Sequence, residues 1–116
     1  MPHLVLEHSS NLVEKKTLVE LFEKCHGLLT EKLPTERKSC VSRAIECQQY
    51  YIGEGQSDLA FIHVTLKVKA GRTFDVLKET AEALLAAIKA HCTASVNQLN
   101  LKVTLEIIEL QKTYFS

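Results

Sequence analysis

Residues 60–69, Ala-Phe-Ile-His-Val-Thr-Leu-Lys-Val-Lys, alternate without a break. Ala60, Ile62, Val64, Leu66 and Val68 point to one face of an extended strand; Phe61, His63, Thr65, Lys67 and Lys69 point to the other. The apolar row needs a cover, and the next residues supply one. Ala70-Gly-Arg-Thr73 turns the chain into a helix whose stripe is Leu77, Ala81, Leu84, Leu85 and Ile88, continued by Cys92. A further strand follows over residues 101–109, apolar at Leu101, Val103, Leu105 and Ile107 and polar at Lys102, Thr104 and Glu106.

The same order stands upstream. His3–His8 reads as a strand, and Ser9, Ser10 and Asn11 supply cap chemistry. Asn11 with Glu14 resembles a capping box. Leu18, Leu21, Phe22, Cys25, Leu28 and Leu29 recur on one face of a helix, with Glu14, Lys15, Lys16, Glu20, Glu23 and Lys24 largely on the other; Pro34 lies beyond its end. Cys40–Tyr51 is expected as the second strand, and Gly53 and Gly55 mark a turn. The chain thus reads β-α-β twice, as pseudo-repeats about 1–52 and 58–116 of a single domain spanning 1–116. The predicted class is α+β (α/β two-layer): two consecutive βαβ units forming a four-stranded mixed sheet, covered on one face by two helices. The uncovered face, carrying His63, Thr65, Lys67, Lys102, Thr104 and Glu106, suits solvent or the interior of an oligomer.

With 116 residues, 46% apolar and 24% charged, the composition is that of a soluble globular domain. Fourteen basic residues balance 14 acidic ones, so no global field draws in nucleic acid or an anionic membrane. A site for an anion must be local. Neither a membrane span nor a signal peptide is expected, which points to the cytoplasm. Cys25, Cys40, Cys47 and Cys92 lack metal-ligand or disulfide-framework spacing and read as reduced, mostly buried thiols. His8, His26 and His91 show no ligand spacing with them, so no metal and no cofactor is expected.

Chemistry enters at the opening Met-Pro-His-Leu-Val-Leu-Glu-His-Ser. If Met1 is removed, Pro2 becomes a free secondary amine held on a strand. Three stretches then carry a family resemblance: MPHLVLEHSSNL at the start, GQSDLAFIHVTLKVKAGRT in the middle and LEIIEL near the end. In this order they resemble the 5-carboxymethyl-2-hydroxymuconate isomerase family of the tautomerase superfamily. Periodicity alone leaves a ferredoxin-like split sheet open beside the tautomerase arrangement; the resemblance implies the latter. It further implies a homotrimer, a cofactor-independent keto–enol tautomerisation in aromatic catabolism, and Pro2 as general base. Arg72, in AGR, matches an arginine that binds a substrate carboxylate, and Arg43, in VSRAI, matches one that clamps or polarises the substrate. The two arginines are expected from different subunits. Where the family can carry a further arginine, this chain has Val41, which leaves open phenylpyruvate-type tautomerase, hydratase, dehalogenase or decarboxylase activity. A retained Met1 would instead imply a non-catalytic binding module.

The chemistry wants these groups. Moving a proton from an enol oxygen to a carbon needs one base with a pKa near the working pH. An α-amine starts near 8, and an apolar pocket with nearby arginines lowers it. Guanidinium groups hold a small anionic unsaturated oxo or hydroxy acid in register with the base. His63 could hydrogen-bond the substrate, though a structural role is the simpler reading. His3 alternates onto the strand face opposite Pro2. Tyr114 and Phe115 either cap a pocket or form a docked tail.

Overall fold

The computed structural model describes residues 1–116. Its strands are β1 (His3–Ser9), β2 (Val41–Cys47), β3 (Leu59–Lys69) and β4 (Asn100–Leu110); its α-helices are α1 (Leu18–Lys32), α2 (Phe74–His91) and α3 (Thr93–Gln98). The strands form one sheet in the order β2-β1-β3-β4. β1 pairs in parallel with β2 and β3 in parallel with β4, while β1 and β3 run antiparallel at the centre. Each long helix therefore returns the chain to the strand beside the one it left. In a split ferredoxin-like sheet another strand would lie between them. The pairing decides for two contiguous βαβ units.

The alternation of β3 is realised in full. Ala60, Ile62, Val64 and Leu66 are 0% exposed and Val68 1%. Over this row and its continuation in Leu4 and Leu6 lie Leu18, Leu21, Phe22, Cys25 and Leu29 of α1 with Leu84 and Ile88 of α2. Because Ile62 lies at the centre of this layer, Ile62→Ala is expected to cost about 2–5 kcal/mol. Urea unfolding should show a lower midpoint with an unchanged slope.

Three local expectations change. Asn11 and Glu14 do not form a capping box: α1 begins at Leu18, behind a 3-10 turn at Lys15–Thr17. The Asn11 amide donates to the Leu59 carbonyl at 2.9 Å. The Glu14 carboxylate accepts from the backbone N–H of Ala94 (2.9 Å) and Ser95 (3.2 Å) and from the Ser95 hydroxyl (2.6 Å). It thereby caps α3, a helix without an apolar stripe to announce it. Glu14→Ala should cost about 1–3 kcal/mol by leaving these donors unpaired, with amide exchange at Ala94 and Ser95 accelerating first. Finally, β2 stops at Cys47 rather than Tyr51. The Gly55 N–H donates to the Ile52 carbonyl at 2.8 Å, closing a turn. At its φ of +86° a side chain is strained, and a Cβ would sit 2.7 Å from the Tyr51 ring. Tyr50 is drawn instead edge-on to Phe61, with ring centroids 6.0 Å apart.

Candidate active site

β1 starts immediately after Pro2, and the first residue of β2 pins it. The Val41 N–H donates to the Pro2 carbonyl at 3.0 Å. Pro2 is buried, continuing the helix-facing row of Leu4 and Leu6, whereas Met1 is exposed. A strand hydrogen-bonded to two neighbours thus holds the beginning of the chain where only the first residue protrudes.

Arg72 stands on the helix side of this point. Its guanidinium donates to the carbonyls of Lys69 (3.0 Å) and Leu33 (3.1 Å), tying the end of α1 to the end of β3. The chain's amino group loses proton affinity through partial burial first, then through the charges of Lys69 and Arg72; Cys40 acts weakly in the opposite sense.

Arg43 stands on the open side. Register places it beside Val5, and its Nη1 lies 3.5 Å from His3 Nδ1. His3 Nε2 lies 2.9 Å from the Tyr114 hydroxyl, which lies 3.4 Å from the Met1 sulfur. A guanidinium can only donate, so Nδ1 accepts. The network then assigns the imidazole hydrogen to Nε2, which donates to Tyr114, and the Tyr114 hydroxyl donates to Met1 Sδ. Burial, followed by the charges of Arg43, Lys67 and the amino group, lowers the His3 pKa, which favours this neutral form.

Within a single chain, Arg72 thus lies near the amino end on the helix side, while Arg43 reaches His3, the neighbour of Pro2, on the opposite face. His63 does not join them. It pairs with Glu7, five residues along β1 from Pro2, which is about 17 Å at strand rise. There His63 Nε2 donates to the Glu106 carboxylate at 2.7 Å, and Nδ1 lies 2.7 Å from the Thr104 hydroxyl. The face assigned to His3 by alternation is the one observed. What alternation alone does not show is that Arg43 shares it. Lys69 also escapes sequence reasoning, because its reach to the amino group depends on how β3 ends beside β1.

A cleft of about 240 Å³ adjoins the site, with Lys69, Leu110 and Tyr114 among its walls. Cys25 and Cys92 offer no nucleophile: burial pushes their thiols up to about 11 and about 12. No helix is long and apolar enough to cross a membrane.

Two contiguous βαβ units with both long helices on one face make up the α+β tautomerase-like fold. The chain shares that fold with a solved fused 4-OT wild-type symmetric trimer, at 18% identity and a TM-score of 0.62 over 92% of this chain and 85% of the other. A crystal structure of a 5-carboxymethyl-2-hydroxymuconate isomerase from Deinococcus radiodurans R1 is far nearer. It is 32% identical, with a TM-score of 0.89 covering 99% of this chain and 88% of that one. The 5-carboxymethyl-2-hydroxymuconate Delta-isomerase of Escherichia coli is 33% identical over 113 residues, covering 97% of this chain and 90% of its own. The family model for 5-carboxymethyl-2-hydroxymuconate isomerase matches residues 2–115. The chain belongs to the 5-carboxymethyl-2-hydroxymuconate isomerase family of the tautomerase superfamily and is an isomerase.

Proposed function

We propose that the protein carries out a cofactor-independent keto–enol tautomerisation with Pro2, freed by removal of Met1, as its general base. The substrate is a small unsaturated oxo or hydroxy acid of the kind for which the Escherichia coli relative is named, and the setting is aromatic catabolism in the cytoplasm. The observation that carries this reading is Pro2 itself, buried at the start of a central strand and pinned there by the Val41 N–H, with Lys69 and Arg72 close enough to the chain's amino group to lower its proton affinity. Removing Met1 moves that amine one residue inward, to a buried position.

The deprotonated Pro2 nitrogen accepts the proton of the enol hydroxyl as the carbonyl forms and the conjugated electrons shift. The resulting ammonium returns the proton to the terminal carbon of the diene, so no atom is gained or lost. Arg72 binds a substrate carboxylate, and Arg43 clamps the substrate or offsets charge on the dienolate oxygen. For His63 to touch that substrate, another copy of the chain must bring it there. A homotrimer provides a route, and the open face carries exposed Val41, Ile45 and Ile108 suited to such packing.

The test is intact mass of the natively expressed protein followed by kinetics on the processed form. Loss of Met1 with turnover of a hydroxymuconate-type substrate is expected; with Met1 retained, the Pro2 nitrogen is a tertiary amide and turnover should be absent. A processed protein inactive on that substrate but active on phenylpyruvate would overturn the substrate assignment. One inactive on both would overturn the mechanism.

A further inference from the structure

The flank of the helix layer beside the edge strand β2 carries a polar cluster outside the candidate active site. Phe22, Cys25 and Leu29 are buried on the sheet side of α1. His26 follows Cys25 and so comes round to the margin of that stripe, one turn beyond Phe22. On β2, Ser42 is in register with buried Leu4 and points to the helix side. The two meet there. His26 Nε2 lies 2.7 Å from Ser42 Oγ, and both residues are half-buried.

A cleft of about 360 Å³ opens onto this pair, with Val19 and Phe22 as its apolar wall and Glu23 and Arg37 completing the lining. Arg37 is held in place along α1. Its Nη2 donates to the Glu23 carbonyl at 3.0 Å, and its Nη1 lies over Gly27, where a Cβ would stand 3.4 Å away. No carboxylate neutralises this guanidinium; the chain's ion pairs are Lys15–Glu46, Lys38–Glu36 and His63–Glu106. The cleft is therefore on the helix side of the sheet, away from the open face, and has its own cation.

The His26 imidazole is kept neutral, because burial first and then the Arg37 charge lower its pKa. A neutral ring with its hydrogen on Nδ1 accepts from the serine hydroxyl at Nε2. That is the relation of a nucleophile to its base, here beside an apolar wall and an unpaired guanidinium. A serine–histidine bond that only tied α1 to β2 would require neither the cleft nor the cation.

We propose that Ser42 and His26 form a second reactive site, in which Ser42 accepts the acyl group of a small carboxylic ester whose own carboxylate rests on Arg37. Ser42 Oγ attacks the acyl carbonyl as His26 Nε2 takes the hydroxyl proton. The bond from the acyl carbon to the leaving oxygen breaks, and that oxygen receives the proton. Water then gives a proton to the same nitrogen and attacks the acyl-serine; the acid leaves and Oγ recovers its hydrogen. The sum is ester hydrolysis, and it needs neither Pro2 nor the removal of Met1.

Two chromogenic esters test this, 4-acetoxy-3-nitrobenzoate with a carboxylate and 4-nitrophenyl acetate without one. Nitrophenolate release gives the rate, and peptide mass mapping after an acid quench locates the acetyl group. The parent protein should hydrolyse the carboxylate ester and carry the acetyl group on Ser42. Ser42→Ala and His26→Gln should each lower kcat/KM for it by about 10², the lower end of what a positioned base contributes. Arg37→Gln should raise KM for the carboxylate ester about tenfold, the scale of a lost charge-assisted contact, and leave 4-nitrophenyl acetate within about twofold. A cooperative thermal transition shows that each variant is folded; should His26→Gln lack one, Ser42→Ala, which removes a single hydroxyl, decides alone. Undiminished hydrolysis in folded Ser42→Ala overturns the site, as does an acetyl group found only on the Pro2 amine or on lysines. An equal effect of Arg37→Gln on both esters overturns the place given to the carboxylate.

Discussion

Pro2→Ala is expected to lower kcat/KM by about 10²–10⁴, the range of a positioned general base. The variant still has an amino terminus after processing. That amine is primary, and without the pyrrolidine ring it rotates freely about its N–Cα bond, so the lone pair loses its fixed aim. Activity equal to the parent would remove Pro2 from its role. The parent's pH profile is a second readout of the same idea. The free amine is the working form, so kcat/KM falls as pH drops through the pKa of that amine. Burial, Lys69 and Arg72 all lower the proton affinity at this end of the chain. The acid limb should therefore lie below about 8, the ordinary α-amine value. A limb at or above it would contradict the account.

Arg72→Ala should be nearly as damaging, by about 10²–10³ in kcat/KM, because it removes a carboxylate-binding group and a nearby positive charge together. The two losses separate by measurement. Without the guanidinium charge the amine holds its proton more tightly, so the acid limb moves to higher pH. Without the planar fork KM rises. Arg72→Lys should restore part of the first and little of the second, since an ammonium keeps the charge but lacks bidentate geometry. The guanidinium also donates to the carbonyls of Leu33 and Lys69. The alanine variant should accordingly show a lower thermal midpoint, and Arg72→Lys an intermediate one. A variant with unchanged KM and an unmoved acid limb would show that Arg72 serves only to join α1 to β3.

Much of this protein is legible residue by residue. The strict alternation of residues 60–69 became a strand with one buried face, because period-2 burial is a local property of an extended chain. The stripes at Leu21, Cys25 and Leu29 and at Leu84 and Ile88 became the helix layer for the same reason at a helical period. Pro2, Arg43 and Arg72 could be singled out by their matches to a family pattern, and the family is the one found. The misreadings share a cause. Glu14 stands where a capping box would use it, yet it caps α3, far along the chain, where donors with no local partner were waiting. Tyr50 and Tyr51 have strand-forming side chains, but the turn at Gly55 removes them from β2.

The sequence by itself determined the element order, the apolar faces, the absence of a global charge and the presence of a proline behind the first residue. Each of these depends on neighbours close along the chain. Tertiary structure alone decided that β1 lies between β2 and β3, that Arg43 reaches His3 while His63 is held by Glu106, and that Lys69 and Arg72 close on the amino end. These outcomes depend on strand register. A slip of one residue in β1 would exchange the faces of Pro2 and His3 and dissolve the site, and that register is held by buried rows on several strands at once.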